Sequence, residues 1–555
     1  MPTVDSSAFA GSDVLPDFLR CDVCIIGTGP VGATIARELS NSALRVTILE
    51  SGGKERQEAT DALNEIESIG WPREMDQWLV RNRIVGGTSH TWGGRCAPFD
   101  EIDLQERDWI PHSGWPFKIE DLTSYFDRGA KYLGLGPGCS YSDDRIWAYI
   151  GHRQPKLDLD GDKLLPMFWQ VSRDPANWTD RVRFGLHLEA DLGPNVTLVT
   201  NATVLCINVT ESGAAVESVE FAGAGGRRWS LPTPTVAVCA GAIENARLLL
   251  SSNNVISAGL GNRHDLVGRF LMDHPRSSVA RFPVRRGRPA LNRQGRATLD
   301  RFDFYKSRAD NSNRYHLGVR LSPALQRSEQ LPNCAMWVSR SPGGPDDPPW
   351  DSLKRFVRRE ADVGRDLRAV LMNSDLLFRG IRDYFILRKG LPHRVVAITL
   401  DAMCEQIPNP ESRITLSDRR DALGMRISRI DWRVGEEEAR AIRRITGLMV
   451  EHLARMGVEP PVVEEWIHDG AMFPDTVRDI AHPIGTTRMA DDPARGVVDS
   501  RCQVHGIDGL FVGGGSVFPT AGHANPTQMF VAMAVRLADA MKMRRPAVAA
   551  LGSVR

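Results

Sequence analysis

Between His482 and Met529 the chain reads HPIGTTRMADDPARGVVDSRCQVHGIDGLFVGGGSVFPTAGHANPTQM. His482, His505, His523 and Asn525 stand there among glycines and prolines. A neutral imidazole, with an ordinary pKa near 6.5, can take a proton at neutral pH. An amide offers a donor and an acceptor and keeps one charge state. His505 falls in a turn before a strand, RCQVHGIDGL, and reads as structural. Near the other end, Gly27-Thr28-Gly29-Pro30-Val31-Gly32 fits the G-x-G-x-x-G pattern. Its first glycine permits a tight turn, its second admits a pyrophosphate, and its third lets a helix pack close to a strand. Glu50 follows at the end of the next strand, with Ser51 after it, where an acid can accept from ribose hydroxyls and disfavours a 2′-phosphate.

These groups need elements to hold them. Residues 21–27 (CDVCIIG) read as a buried strand, 30–40 as a helix and 45–50 as a second buried strand. That strand–turn–helix–strand unit gives the glycine pattern the context a dinucleotide site requires, and phosphates would meet the helix N-terminus. A Gly- and Trp-rich arm follows over about 70–110 and reads as a functional loop. Residues 195–240 read as strands, 242–252 as a helix, and 275–335 and 394–432 as strand-rich. Residues 351–390 read as a charged helical insert, 436–456 as an amphipathic helix and 527–543 as a C-terminal helix. The expected fold is α/β: a Rossmann-like nucleotide-binding domain with a discontinuous α+β substrate domain carrying a mixed or antiparallel sheet. The divisions expected are 15–275 for the first, 276–465 mainly for the second, and 466–545 for a segment returning to the nucleotide site.

With 69 basic and 69 acidic residues, the 555-residue chain has no global field that calls for nucleic acid. No apolar run reaches the roughly 18 residues of a membrane span. The N-terminus lacks the basic and apolar regions of a secretory signal, so a cytoplasmic location is expected. Nine scattered cysteines argue against a disulfide framework, and Cys21-Asp-Val-Cys24 lies on the first buried strand with no second pair, so no metal site is expected.

The segments DVCIIGTGPVGATIARELS, VTILESGG, VGGTSHTWGG, CAGAIENARLLLSS, VGRFLMDHP and the 482–529 stretch occur in that order. Together they resemble the glucose–methanol–choline (GMC) oxidoreductase family from about residue 20 to 543. The wording around HPIGTTRM and SRC resembles its sugar-oxidising branches, the pyranose oxidases, glycoside 3-oxidases and fructose dehydrogenases. The resemblance implies FAD and oxidation of an alcohol, here a secondary hydroxyl of a sugar, glycoside or polyol. It implies His482 as the base and Asn525 as its partner, with His523 a candidate for the substrate pocket. It implies that Gly86, Gly87, Thr88, His90, Thr91, Trp92, Gly93 and Gly94 pass over the flavin and that Val204 approaches the adenine. Ala240, Gly241 and Asn245, then Gly515, Ser516, Pro526 and Thr527, are the other cofactor positions it implies.

In covalent members of the family a histidine of the arm falls where this chain has Thr91, one place after His90. Non-covalent FAD is therefore expected. The electron acceptor would be oxygen or a quinone-type carrier, and a homo-oligomer is compatible with the composition. The alternatives are an oxidase of a choline-like, aliphatic or secondary-metabolite alcohol, or a lyase that keeps flavin as structure.

Overall fold

The computed structural model describes residues 3–12, 14–136, 144–177, 180–285, 288–309, 313–342, 395–469, 473–474 and 477–544. The expected insert at 351–390 lies outside them. Six parallel strands form one sheet, in the order Thr3–Asp5, Val196–Thr200, Val46–Leu49, Val23–Ile26, Val236–Val238 and Leu510–Val512. All four residues of Val23–Ile26 and of Val46–Leu49 are buried, as a parallel sheet covered on both faces demands. The helix Pro30–Leu39 packs on the C-terminal helix Thr527–Met543. The chain winds outward in both directions from Val23–Ile26. Ligands of such sheets bind beyond the strand C-termini at that reversal.

An eight-stranded sheet stands beside it. Its order is Val462–Val463, Arg276–Arg281, Val395–Cys404, Cys334–Pro342, Arg314–Leu321, Leu164–Val171 and Arg95–Cys96, with Phe304–Lys306 paired to Arg314–Leu321. Its pairings are antiparallel, which matches the strand-rich stretches expected of a second sheet. Two of its strands, 95–96 and 164–171, come from within 15–275, so the two sheets interleave along the chain. One face packs on the helix Glu436–Arg455, whose Ala441, Ile442 and Ile445 are fully buried. The other face looks toward the loops at 480 and 524. Among the described residues, no helix is long and apolar enough to cross a membrane.

A buried fork ties the segment after the arm to this sheet. The Arg107 guanidinium donates to both carboxylate oxygens of Glu405, at 2.8 and 2.5 Å, and Glu405 also accepts from the Asn333 N–H. Both side chains are shielded from water, so loss of one partner strands the other's charge. Glu405→Ala is expected to cost about 3–5 kcal/mol, read as a lower denaturant midpoint of the flavin-loaded protein. Unchanged stability would show that the fork carries no net energy.

Candidate active site

A cleft of about 1530 Å³, part of it open to solvent, runs along the C-terminal ends of the parallel strands. Gly27 turns the chain out of its strand at φ +95°, where a Cβ would lie 2.9 Å from the Cys239 carbonyl oxygen. At Gly32 a Cβ would come 2.0 Å from the Gly27 carbonyl oxygen, so the helix seats only on a glycine. A Cβ at Gly29 or Gly241 would instead stand in open space. Three helices, Pro30–Leu39, Ala242–Ser251 and Thr527–Met543, point N-termini at the cleft with no side chain capping them. Their unspent N–H groups and partial positive charge suit phosphate and an electron-rich ring. This cradle fits a dinucleotide.

Of the residues expected at the nucleotide, Gly27, Gly29, Pro30, Val31, Glu50, Ser51, Gly87, Thr88, Trp92, Val204, Ala240, Gly241, Gly515 and Thr527 line the cleft. Glu50 is buried, and its carboxylate accepts from the Thr28 N–H at 2.8 Å and the Gly52 N–H at 3.0 Å. It braces the glycine turn as well as facing the cleft. Burial raises its pKa against those bonds and the nearby Arg83.

Other expected residues stand behind the wall. Asn245 accepts from the Ala240 N–H and donates to the Gly513 carbonyl and the Ser516 hydroxyl, tying two loops together. The N–H of Gly86 donates to the Thr28 hydroxyl, which docks the arm on the glycine turn. His90 Nε2 lies 2.9 Å from the Val85 carbonyl oxygen, and Thr91 donates to the Asn82 side chain, so neither side chain faces the cleft. Gly32, Gly93, Gly94, Ser516 and Pro526 likewise lie off the lining.

His482 reaches the cleft edge, and its Nε2 lies 3.3 Å from Asn525 Nδ2. Behind it stands His274, fully buried, with the two Nδ1 atoms 3.2 Å apart and the rings edge to face. The Gly522 carbonyl oxygen is 3.1 Å from His274 Nε2. A carbonyl only accepts, so His274 carries its proton on Nε2 and offers a bare Nδ1. His482 must then donate from Nδ1, which leaves its Nε2 lone pair toward Asn525 and the cleft. Burial, and secondarily His274, push the His482 pKa down to about 3 against the pull of Asp273. Burial likewise takes His274 down to about 4. Both rings are neutral at working pH.

Sequence reasoning missed His274 and the acid beside it. Asp273 accepts from the backbone N–H groups of His274, Ile480 and His482 and from Arg73. The signal in the sequence is the acid–histidine pair of VGRFLMDHP. The ion group of Arg81, Arg83 and Glu244 along the cleft was missed too, since the arm's charges show no pattern until Glu244 is brought to them.

His523, expected as a pocket candidate, is turned away. It is buried, its Nδ1 lies 3.0 Å from Asp103 and 2.9 Å from Asn333 Nδ2, and it does not line the cleft. Burial opposes its protonation, but Asp100 and Asp103 outweigh burial and raise its pKa. It is a bolt between the loop at 523–525 and the segment at 100–103. A ring of the usual pocket-lining kind would keep a free nitrogen toward the cleft; here both nitrogens face acids.

Gly32→Ala would force the helix off the glycine turn. It is expected to leave chains that purify with little flavin, measured as bound-flavin absorbance per chain; a full complement would mean the turn does not hold the cofactor.

Residues 408–534 match the GMC oxidoreductase family model. The chain is similar to the 6‴-hydroxyparomomycin C oxidase of Streptomyces lividus, at 24% identity over 94% of this chain and 91% of that protein. It is similar to the 2-methyl-1,2-propanediol dehydrogenase of Mycolicibacterium austroafricanum, at 23% identity over 95% of this chain and 96% of that one. Its fold is shared with the crystal structure of pyridoxine 4-oxidase from Mesorbium loti, at a TM-score of 0.56 and 17% identity, covering 95% of this chain and 100% of the other. Glycine cradle, uncapped helix ends, neutral histidine and these likenesses together make this chain an FAD-dependent alcohol oxidoreductase that carries a GMC oxidoreductase match over residues 408–534.

Proposed function

We propose that the enzyme oxidises a secondary hydroxyl of a sugar, glycoside or polyol to a carbonyl, with His482 as the base and Asn525 as its partner. The observation that carries this reading is the unprotonated Nε2 of His482, which accepts from the Asn525 amide N–H at 3.3 Å, a contact that an entering hydroxyl would replace. A substrate hydroxyl entering there gives its proton to Nε2 while the amide N–H holds the oxygen. Bound FAD supplies the acceptor for the hydride that leaves the same carbon. The ring of His482 is oriented from behind by His274, and its backbone N–H is held by Asp273. The uncapped N-terminus at Thr527 faces the cleft and would favour negative charge building up there. A relative named for a hydroxyparomomycin, a sugar-based compound, supports the sugar reading.

Non-covalent attachment of FAD is part of the same reading. It is supported by His90, whose ring nitrogen is taken up by the Val85 carbonyl, and by Thr91, which has no nucleophilic nitrogen. Acid precipitation is expected to release the flavin into the supernatant, and colour kept in the pellet would contradict it.

His482→Ala is expected to slow anaerobic flavin bleaching by a sugar-type alcohol by roughly 10²–10⁴-fold, the range for a general base. Bleaching at the wild-type rate would remove His482 from the role. The pH profile gives an independent check. A histidine whose pKa is pushed down to about 3 stays neutral, and so competent, from alkaline pH through its ordinary value near 6.5. The reduction rate is expected to hold as pH falls from about 8 to about 5.5 and to drop only in stronger acid. A loss centred on the ordinary histidine pKa would show that the ring is not shielded in this way.

A further inference from the structure

The eight-stranded sheet turns a second set of groups toward the catalytic loops. Across adjacent strands Trp337 stands opposite Asp401, and Asp401 opposite Ser278, with Arg276 two residues along on the same face. Farther across, His316 stands opposite Trp169, and Arg95 opposite Val171, two residues from Trp169. Partners across a ladder share a face, as do residues two apart, so Arg276, Asp401, Trp337, Trp169 and Arg95 all lie on one side. Trp169 and Trp337 pack with Ala97 and Ala524, and Ile480 packs against the same cluster. Ala524 is the neighbour of Asn525, and Ile480 lies two residues before His482. Arg95 itself follows the cleft-lining Trp92 by three residues. This face therefore abuts the reacting pair.

Its hydrogen-bonding account does not close. The Arg95 guanidinium lies 5.2 Å from the Trp337 ring centre and has no acidic or hydrogen-bonding partner among the described residues. The Trp169 indole N–H is buried and also without a partner. Arg276 lies 5.1 Å from the same Trp337 ring centre and pairs with Asp401 at 2.8 Å. Asp401 cannot serve Arg95 as well, because its oxygens already accept from Arg276, Ser278, Ser339 and Thr399. Arg181, which faces Arg95 electrostatically, donates to the Gly93 carbonyl. Arg95 thus stands between two other guanidiniums, and the carboxylate that attracts it is already fully engaged. Burial, then Arg276 and Arg181, lower the Arg95 pKa to about 10 against the pull of Asp401, which keeps it charged at neutral pH with no hydrogen-bonded anion among the described residues. An uncompensated, largely buried cation is a cost to the fold, and stacking on a tryptophan face leaves its five N–H donors unspent.

We propose that Arg95, with Arg276 beside it, binds an anionic group on the substrate, so that the enzyme oxidises a sugar bearing a carboxylate or a phosphate. The planar guanidinium fork matches either group in two parallel hydrogen bonds. The Trp169 N–H would add a neutral donor on the same face. A substrate carrying ammonium groups would meet the same three guanidiniums as like charge and be rejected. This inference rests on the sugar-oxidation reading for the identity of the rest of the substrate, but its test does not.

Binding is measured by equilibrium dialysis on flavin-loaded protein whose flavin has been reduced chemically, so that no turnover occurs. The probes are D-glucuronate, glucose 6-phosphate and methyl glucoside. At low salt one of the two anions is expected to bind about 10-fold or more tightly than the neutral glycoside, the scale of a hydrogen bond to a charged group. Glucuronate or the phosphate ester in first place identifies the group. The preference should shrink with added salt. In Arg95→Gln it should vanish, and in Arg95→Lys part of it should remain; bound flavin in both variants shows that they fold. Equal binding of neutral and anionic probes, or a preference untouched by Arg95→Gln, overturns the inference. A chain that bleaches with neutral sugars yet shows no charge preference breaks this inference alone. One that holds the anion but oxidises no sugar breaks the sugar reading alone.

Discussion

The cleft edge at His482 depends on one buried carboxylate. Asp273 accepts the backbone N–H groups of His274, Ile480 and His482 and the guanidinium of Arg73. A buried charge persists only when it is paired and its lone pairs are filled, and here four donors fill them. The donors come from three separate stretches of chain, at 73, 274 and 480–482. Satisfying the acid therefore brings the arm, the segment before the large sheet and the loop at 480–482 to one point. The loop enters that point through Ala481 at φ +59°, a conformation a residue with a Cβ adopts only where its surroundings enforce it. The two backbone bonds on either side of Ala481, from Ile480 and His482 to Asp273, supply that enforcement.

From that anchor the proton positions follow in series. The Gly522 carbonyl sets His274, His274 sets His482, and His482 presents a lone pair. None of these steps needs a charged ring. That suits a site whose own burial disfavours imidazolium, since each ring meets a neutral partner that asks for no charge. Neutral donors and acceptors can hold a base in one tautomer without changing its affinity for protons as much as a carboxylate would. Asp273 touches the chain of rings mainly through backbone N–H groups, which spend its charge before it reaches the imidazole nitrogens.

The legible parts of the sequence were those in which a local pattern and its tertiary surroundings demand the same thing. The strand before Gly27 is apolar because both faces of a parallel sheet are buried, and the helix after Pro30 starts on a glycine because phosphate chemistry needs uncapped N–H groups. The helix expected at 527–543 is found at Thr527–Met543 for a similar reason: small and apolar residues line the side packed on Pro30–Leu39. The glycine turn, the arm and the C-terminal loops could thus be placed by pattern. His274 could not, because its meaning depends on a partner 208 residues away. Neither could the interleaving of the two sheets, since Arg95–Cys96 and Leu164–Val171 look like any short strand until Arg314–Leu321 accepts one of them as a neighbour.

His482 and His523 show why residue type and loop membership do not assign a role. Both lie in the same glycine-rich stretch and both are removed from bulk water, which by itself drives each toward the neutral form. What separates them is the partner that meets the ring. His482 faces another neutral histidine and an amide, so burial wins and the lone pair survives. His523 faces Asp100 and Asp103, whose charges outweigh burial and favour the protonated ring, while Asp103, against its own burial, is pulled down to about 2 by His523 and Arg107. A protonated ring cannot accept a proton from an alcohol, but it can clamp the loop that carries Asn525, two residues on, to the segment at 100–103. The two rings thus serve the same loop differently: His482 turns an unprotonated nitrogen toward Asn525, and His523 fixes the stretch of chain that carries that amide.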